Sequence, residues 1–329
     1  MLKPFLPTFR LRTLLARLLR RDEPTFSPVL SRLENGFIVP PTHLELIVAD
    51  HCNMTCRSCN HGAPLLGRWF ANPDVVHRDF SILAKVYRPK LVKVIGGEPL
   101  LHKDLAAVIR AARSSGISPY FFLITNGLLL DRMSDDVWGA VDEIEVSAYP
   151  GAEPCADILS RARQKAGESR VKFTLNRYEN FRATLTTVGT QNQELVAQIY
   201  HTCKIANVWG CHGVRDGRFF KCPQSMYIPT LTGRPFEADH IPIEDTPDLK
   251  ERLLAFINSP RPLSSCTYCV GTVGKKHDHV QLPRKDWPAD LNRPTEEMVD
   301  YERLDRSKLS QTMVDDCKIK TVEGFAPAL

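Results

Sequence analysis

From residue 43 the chain switches repeatedly between two hydrophobic periods. Short apolar runs rich in β-branched and aromatic residues predict strands: LELIVA at 44–49, LVKVIG at 91–96, YFFLIT at 120–125, EIEVSAY at 143–149 and VKFTL at 171–175. Between them the apolar positions recur at helical spacing. The pattern predicts a helix over 74–88, with Val76, Phe80, Leu83 and Tyr87 on one face, and another over 103–114, with Leu105, Val108, Ile109 and Ala112 together. A short helix over 134–140 starts at the capping residue Ser134, and a longer one spans 155–166. Asn126-Gly127 and Pro150-Gly151 are turn signals closing the third and fourth strands. Strict β–α alternation implies a parallel sheet with crossover helices. The pattern alone fits a doubly wound sheet as well as an open barrel.

The ends of the chain depart from this rhythm. Residues 1–42 precede the first predicted strand, and Leu11, Leu14, Leu15, Leu18 and Leu19 within them keep helical spacing. Lys3, Arg10, Arg12, Arg17, Arg20 and Arg21 make that helix basic. It reads first as a helix packed on the protein's own barrel, with docking on an anionic membrane surface or a partner as the alternative. From about residue 276 the chain turns polar and proline-rich, which predicts an extended tail wrapping the barrel over 276–329, anchored by Trp287 and loose at its end.

Composition narrows the setting. The 329 residues are 43% hydrophobic and 25% charged, as in a globular chain with one large domain and a smaller one. The net charge of +5 is local: with the six basic residues of 1–21 set aside, 37 basic residues face 38 acidic ones. A body so balanced gives no electrostatic reason to expect a nucleic-acid partner. No apolar run reaches membrane-spanning length, and no signal-peptide pattern opens the chain. Ten cysteines without an export signal point to a reducing, cytoplasmic setting and to metal ligation.

Three of those cysteines stand just after the first strand, with spacing Cys52-x3-Cys56-x2-Cys59. Three thiolates are one too few for a closed structural zinc site. They are the right number to hold an iron–sulfur cluster with one iron left open for a small molecule. At the end of the second strand, 37 residues after Cys59, stand Gly96, Gly97, Glu98 and Pro99. Glycines there permit close approach of a ligand to the backbone.

The cysteine spacing together with Gly-Gly-Glu-Pro resembles the radical S-adenosylmethionine (SAM) superfamily. The resemblance implies a partial (β/α)6 TIM-like barrel followed by a small hairpin-plus-helix cluster-binding extension. It implies a [4Fe–4S] cluster on Cys52, Cys56 and Cys59, SAM on the open iron, and the SAM amino group held by Gly96, Gly97, Glu98 and Pro99. One electron, from a donor such as flavodoxin or ferredoxin, would cleave SAM to a 5′-deoxyadenosyl radical. Ser147, by position at the end of the fourth strand, is matched to the SAM ribose, and Asn126 to the same cleft; each can also merely cap its turn. Many family members carry an aromatic residue before the third cysteine; here it is Ser58. Since barrel chemistry gathers at strand carboxyl ends, Cys52, Glu98, Asn126, Ser147 and Asn176 are expected on one rim.

A second set of cysteines lies downstream: Cys203, then Asp216-Gly217 as a hairpin turn, Cys222, and Cys266-x2-Cys269. Four thiolates suit a second iron–sulfur cluster or a zinc ion equally. Here the chain resembles the SPASM and twitch extensions of radical SAM enzymes, and the short twitch form implies one auxiliary [4Fe–4S] cluster on Cys203, Cys222, Cys266 and Cys269. Cys211 rivals Cys203 because it would pair across the hairpin from Cys222. Cys155 and Cys317 read as spare thiols, and His277 and His279 as solvated or substrate-facing. The domain reading is 1–42 an amino-terminal extension, 43–200 the radical SAM core, 201–275 the auxiliary domain and 276–329 the tail.

A cluster with four thiolate ligands has no open iron, which makes it an electron acceptor rather than a substrate site. The resemblance to twitch-bearing dehydrogenases then implies oxidation of a sugar or aminocyclitol hydroxyl to a ketone. Arg177, Tyr149 and Tyr178 are the polar candidates for contact with a small, carbohydrate-like substrate. Peptide modification or epimerisation are the rival chemistries, and an iron–sulfur electron carrier or scaffold the non-enzymatic one.

Overall fold

The computed structural model describes residues 26–309 and the backbone of 318–325. The basic segment 1–21 and Cys317 lie outside the described residues. The first described element is a hairpin that the periodicity did not announce: β1 (Arg32–Glu34) and β2 (Phe37–Val39) pair across Asn35-Gly36, whose φ values are 50° and 84°. Both central residues sit in the left-handed region, as this tight turn requires.

Among the described residues the main sheet holds nine strands. Six run parallel in the order β9 (His212–Arg215), β3 (Leu44–Ala49), β4 (Val92–Gly96), β5 (Phe121–Thr125), β6 (Glu143–Ala148) and β7 (Lys172–Tyr178). Antiparallel strands border them: β10 (Arg218–Phe220) and β11 (His240–Pro242) beside β9, and β13 (Lys318–Phe325) beside β7. The sheet is an open α/β arrangement, a partial barrel that does not close. The five strands read from the sequence are all present. The sixth parallel strand is supplied by the cysteine-rich extension: its hairpin pairs with β3, so the sheet runs on from barrel to extension without a break.

Alternation explains the layering. Leu44, Leu46 and Val48 of β3 turn outward onto Phe80, Leu83, Val108 and Ile109 of the crossover helices Pro73–Leu83 and Leu105–Ser114. Ile47 turns inward, to Phe220, Met226 and Tyr227. Helix Pro73–Leu83 begins sharply because Pro73 follows Asn72, whose side chain accepts from Asp74 N at 2.8 Å. It stops earlier than its apolar spacing predicts. Val86 O accepts from Ile38 N and Arg88 N donates to Ile38 O, so β2 captures the chain before the helix can continue. Helices Asp135–Trp138 and Ala156–Ser169 stand where predicted.

The carboxyl-terminal region corrects the expectation of an extended tail. Trp287–Leu291, Thr295–Met298 and Tyr301–Leu309 are helices, and Lys318–Phe325 pairs with β7, which extends that strand to Tyr178. Trp287 is the buried anchor that its size suggested. No described helix is long and apolar enough to cross a membrane.

Candidate active site

The Cys52–Cys59 loop leaves β3 at its carboxyl end, and the Gly-Gly-Glu turn grips it. Gly97 N donates to Ala49 O at 2.7 Å and Glu98 N to His51 O at 3.0 Å. A Cβ on Gly96 would lie 2.3 Å from Ala49 O, and one on Gly97 2.2 Å from His51 O. The glycines are therefore needed by the cysteine loop itself, whose backbone occupies the space a side chain would take. The sequence reading had given that space to a ligand.

Glu98 is buried and faces away from the opening. Its carboxylate accepts from Thr125 Oγ1 (2.6 Å), Asn126 N (2.8 Å) and Leu100 N (3.0 Å), while burial pushes its pKa up. It thereby ties the ends of β4 and β5 together. Asn126 completes the link: its Nδ2 donates to Asn53 Oδ1 at 2.7 Å and lies 3.7 Å from Cys52 Sγ. Gly96, Gly97, Asn126 and Ser147 line the adjoining cavity, whereas Glu98 and Pro99 are buried behind it. Asn176 is fully buried and does not line it.

Burial drives the Cys52 thiol up to about 12 and Cys56 higher, and each is pushed further by neighbouring negative groups, Glu98 and Cys59 for Cys52, Cys59 and Cys52 for Cys56. Cys59 moves the other way, because His61 bonds to it against the cost of its burial. Three neighbouring thiols, two of which resist ionisation alone, fit a cationic iron centre, which would supply the positive charge that water does not. Ser58, at φ 59°, is buried and accepts from or donates to His277 Nε2 at 2.9 Å, the position where an aromatic residue was missed. Of the two readings of His279, solvated or substrate-facing, the structure contradicts the first: it is buried and stacks on the cavity residue Tyr149 at 4.9 Å.

The cavity encloses about 310 Å³ and reaches well past the rim. Tyr149, Tyr178, Asn180 and Phe181 form its side, and Lys204, Trp209, Gly271 and Thr272 its far end. That end adjoins the second cysteine set. β10 runs antiparallel to β9, so Cys222, just after β10, lies level with the amino end of β3. Cys203, Cys222, Cys266 and Cys269 act on one another electrostatically, and burial raises all four pKa values. Gly271 N donates to Cys269 Sγ at 3.2 Å, and a Cβ on Gly271 would stand 3.2 Å from Cys203 Sγ. Cys211 is level with this set, yet the strongest charge acting on it is that of Glu45.

Sequence reasoning missed Lys221. Its ammonium is buried, donates to Tyr200 OH at 2.5 Å and Ser259 O at 2.8 Å, and is drawn down to about 8 by burial, against the pull of Cys222, Cys266 and Cys203. A lysine beside a cysteine was the available signal. Four thiolates with one buried cation beside them fit an anionic cluster. Of the substrate candidates, Tyr149 and Tyr178 line the cavity, while Arg177 is exposed and pairs with Glu153 at 3.4 Å. Cys155 is exposed, as befits a spare thiol.

No family model matches the chain. A probable GTP 3′,8-cyclase of Pyrococcus abyssi is 30% identical over 130 residues, covering 38% of this chain and 38% of that protein. The GTP 3′,8-cyclase of Helicobacter pylori is 30% identical over 102 residues, 30% of this chain and 31% of that one. The chain thus spans well under half the length of the curated relatives it matches. Among solved structures, BtrN in complex with AdoMet and 2-DOIA covers 59% of this chain and 75% of its own, at 14% identity and TM-score 0.38. Over the matched part, this chain is similar to GTP 3′,8-cyclases, which are radical SAM enzymes, the family its two motifs resemble.

Proposed function

We propose that the protein is a radical SAM oxidoreductase that converts a hydroxyl of a sugar or aminocyclitol to a ketone. One observation carries the reading: Cys52, Cys56 and Cys59 line a single cavity whose lining also includes polar and aromatic side chains and Gly271, the glycine packed against Cys203 of the second set. With its clusters and SAM bound, the site would supply a 5′-deoxyadenosyl radical at the rim and a one-electron acceptor at the far end. The chain's own residues do the positioning. Cys52, Cys56 and Cys59 hold the rim cluster. The backbone of Gly96 and Gly97, which lines the cavity, would hold the SAM amino group, with Glu98 tying the ends of β4 and β5 together behind it. Asn126 and Ser147 line the path toward the ribose. Cys203, Cys222, Cys266 and Cys269 hold the auxiliary cluster. Tyr149, Tyr178 and Asn180 offer hydroxyl and amide groups to a carbohydrate-like substrate. An external electron donor such as flavodoxin or ferredoxin starts the cycle.

A second reading is favoured by the relatives named above: a purine nucleotide as substrate. Anaerobic incubation of reconstituted protein with reductant and SAM separates the two. Candidate aminocyclitols should yield 5′-deoxyadenosine and a product two hydrogen atoms lighter. Turnover with GTP, and none with any polyol, would overturn the first reading in favour of the second.

A further inference from the structure

Away from the cavity lining, where the extension joins the barrel, three metal-binding side chains meet. His43 precedes β3, Glu45 lies within it, and Cys211 stands just before β9, which pairs parallel with β3. All three are buried, and a nitrogen, an oxygen and the sulfur lie within 4.8 Å of one another. Three atoms so spaced share a centre no more than about 2.8 Å from each, a small adjustment from zinc–ligand distances of about 2.0–2.3 Å.

The hydrogen positions call for a cation there. Thr42 Oγ1 donates its one hydrogen to Trp209 O and lies 2.8 Å from His43 Nδ1. With that hydrogen committed, the hydroxyl accepts from His43, so Nδ1 carries the ring hydrogen. In the neutral ring Nε2 then turns a lone pair toward Glu45 Oε1, 3.3 Å away. A carboxylate has no hydrogen to offer in return. Something positive belongs between them: a second ring proton or a metal ion. A ring proton answers Oε1 alone. Glu45 Oε2 is buried with no hydrogen-bond partner, and the Cys211 sulfur faces the same carboxylate. Lys93, opposite Glu45 in register on β4, adds a charge near both but makes no hydrogen bond to Oε2.

We infer that His43, Glu45 and Cys211 bind one divalent zinc ion, which clamps β3 to β9 at the junction of barrel and extension. Imidazole, carboxylate and thiolate together suit zinc, and both Glu45 oxygens complete four donors. Thr42 orients the imidazole through its other nitrogen, the usual partner arrangement for a metal-bound histidine. Cys211 is then committed to this ion and not to the four-cysteine set. The inference stands apart from the reaction proposed above.

The test uses the full chain with both cluster sites first loaded with iron and sulfide, then equilibrated with Zn²⁺ and desalted. Metals are counted by plasma mass spectrometry, and zinc-edge X-ray absorption reads the ligand atoms. One zinc per chain is expected beyond the cluster iron, with one sulfur and otherwise nitrogen and oxygen neighbours. Cys211→Ser should remove that sulfur. Thr42→Val, which keeps side-chain volume, should weaken zinc binding by about tenfold or more while leaving the iron content intact. Folded, iron-loaded protein that retains no zinc would overturn the site, leaving a buried imidazolium–carboxylate pair. So would a sulfur-only shell, which places the zinc among the auxiliary cysteines, or unchanged zinc binding in both variants.

Discussion

The rim of the cavity and the site that adjoins its far end are both built from cysteines, but by opposite strategies. At the rim three thiols come from one eight-residue stretch, and neighbouring backbone clamps it: Gly97 N to Ala49 O, Glu98 N to His51 O. At the far end four thiols come from three distant stretches, around Cys203, Cys222 and Cys266–Cys269, brought together by helix Gln193–Thr202 and the β9–β10 hairpin. The rim is held by steric fit, with no room for a Cβ. The far end is held by packing and charge, with Lys221 buried beside its thiols. A locally clamped loop tolerates little change in its neighbours. A set gathered from distant segments should lose ligands one at a time with the barrel left standing.

The largest break in that comparison is removal of a rim ligand. Cys56→Ala should abolish SAM cleavage, measured as 5′-deoxyadenosine, while about four of roughly eight irons per chain remain on the auxiliary cysteines. Substantial 5′-deoxyadenosine from the variant would sink the radical SAM reading. Nearly as large is Gly97→Ala. Its Cβ would meet His51 O at 2.2 Å, and a carbonyl held in the backbone cannot step aside as a side chain can. The cysteine loop must shift, so SAM cleavage should fall by about 100-fold, in line with the cost of small misplacements in an active site, and iron at the rim should fall with it. Normal cleavage by Gly97→Ala would show that the clamp is dispensable.

The same contrast decided what could be read from the sequence. The rim was legible because its determinants are contiguous: a strand, three cysteines at fixed spacing, and a Gly-Gly-Glu turn one crossover later. The five strands were legible because buried parallel strands are apolar runs. What escaped reading depends on contacts between distant segments. Nothing in HGVR at 212–215 announces a partner strand at 44–49, so β9 was read only as half of a hairpin. Asn35-Gly36 did carry a hairpin signal, and its flanking strands of three residues were too short to show a period. Glu98 was given to a ligand because its burial beneath Thr125 and Asn126 is a tertiary fact. The helices after Trp287 were hidden by prolines, which end up at or just before their first turns, at Pro288 and Pro294.

At the far end, a single ligand loss should separate functions that a rim change destroys together. Cys269→Ala is expected to spare reductive SAM cleavage and to lower ketone formation by about tenfold or more, because the substrate radical loses its electron acceptor. Cluster absorbance and circular dichroism establish that the barrel survives. A folded Cys269→Ala protein that oxidises its substrate at the parent rate would make the second site structural.

The smallest effect, and the sharpest comparison with Gly97, is Gly271→Ala. Both glycines sit against a cysteine site, but a Cβ on Gly271 would stand 3.2 Å from Cys203 Sγ, a side-chain atom, and not against a backbone oxygen. Gly271 has φ 53°, so alanine there also enters the left-handed region at a cost of about 1 kcal/mol. Spread over a chain of this size, that is a melting temperature lower by about 2 °C. SAM cleavage should be unchanged, since the rim is untouched, and auxiliary iron should fall only slightly as Cys203 yields by a few tenths of an ångström. Equal damage from Gly271→Ala and Gly97→Ala, read as iron retained per chain, would mean that the two ends are clamped alike and that the far end is not the adaptable one.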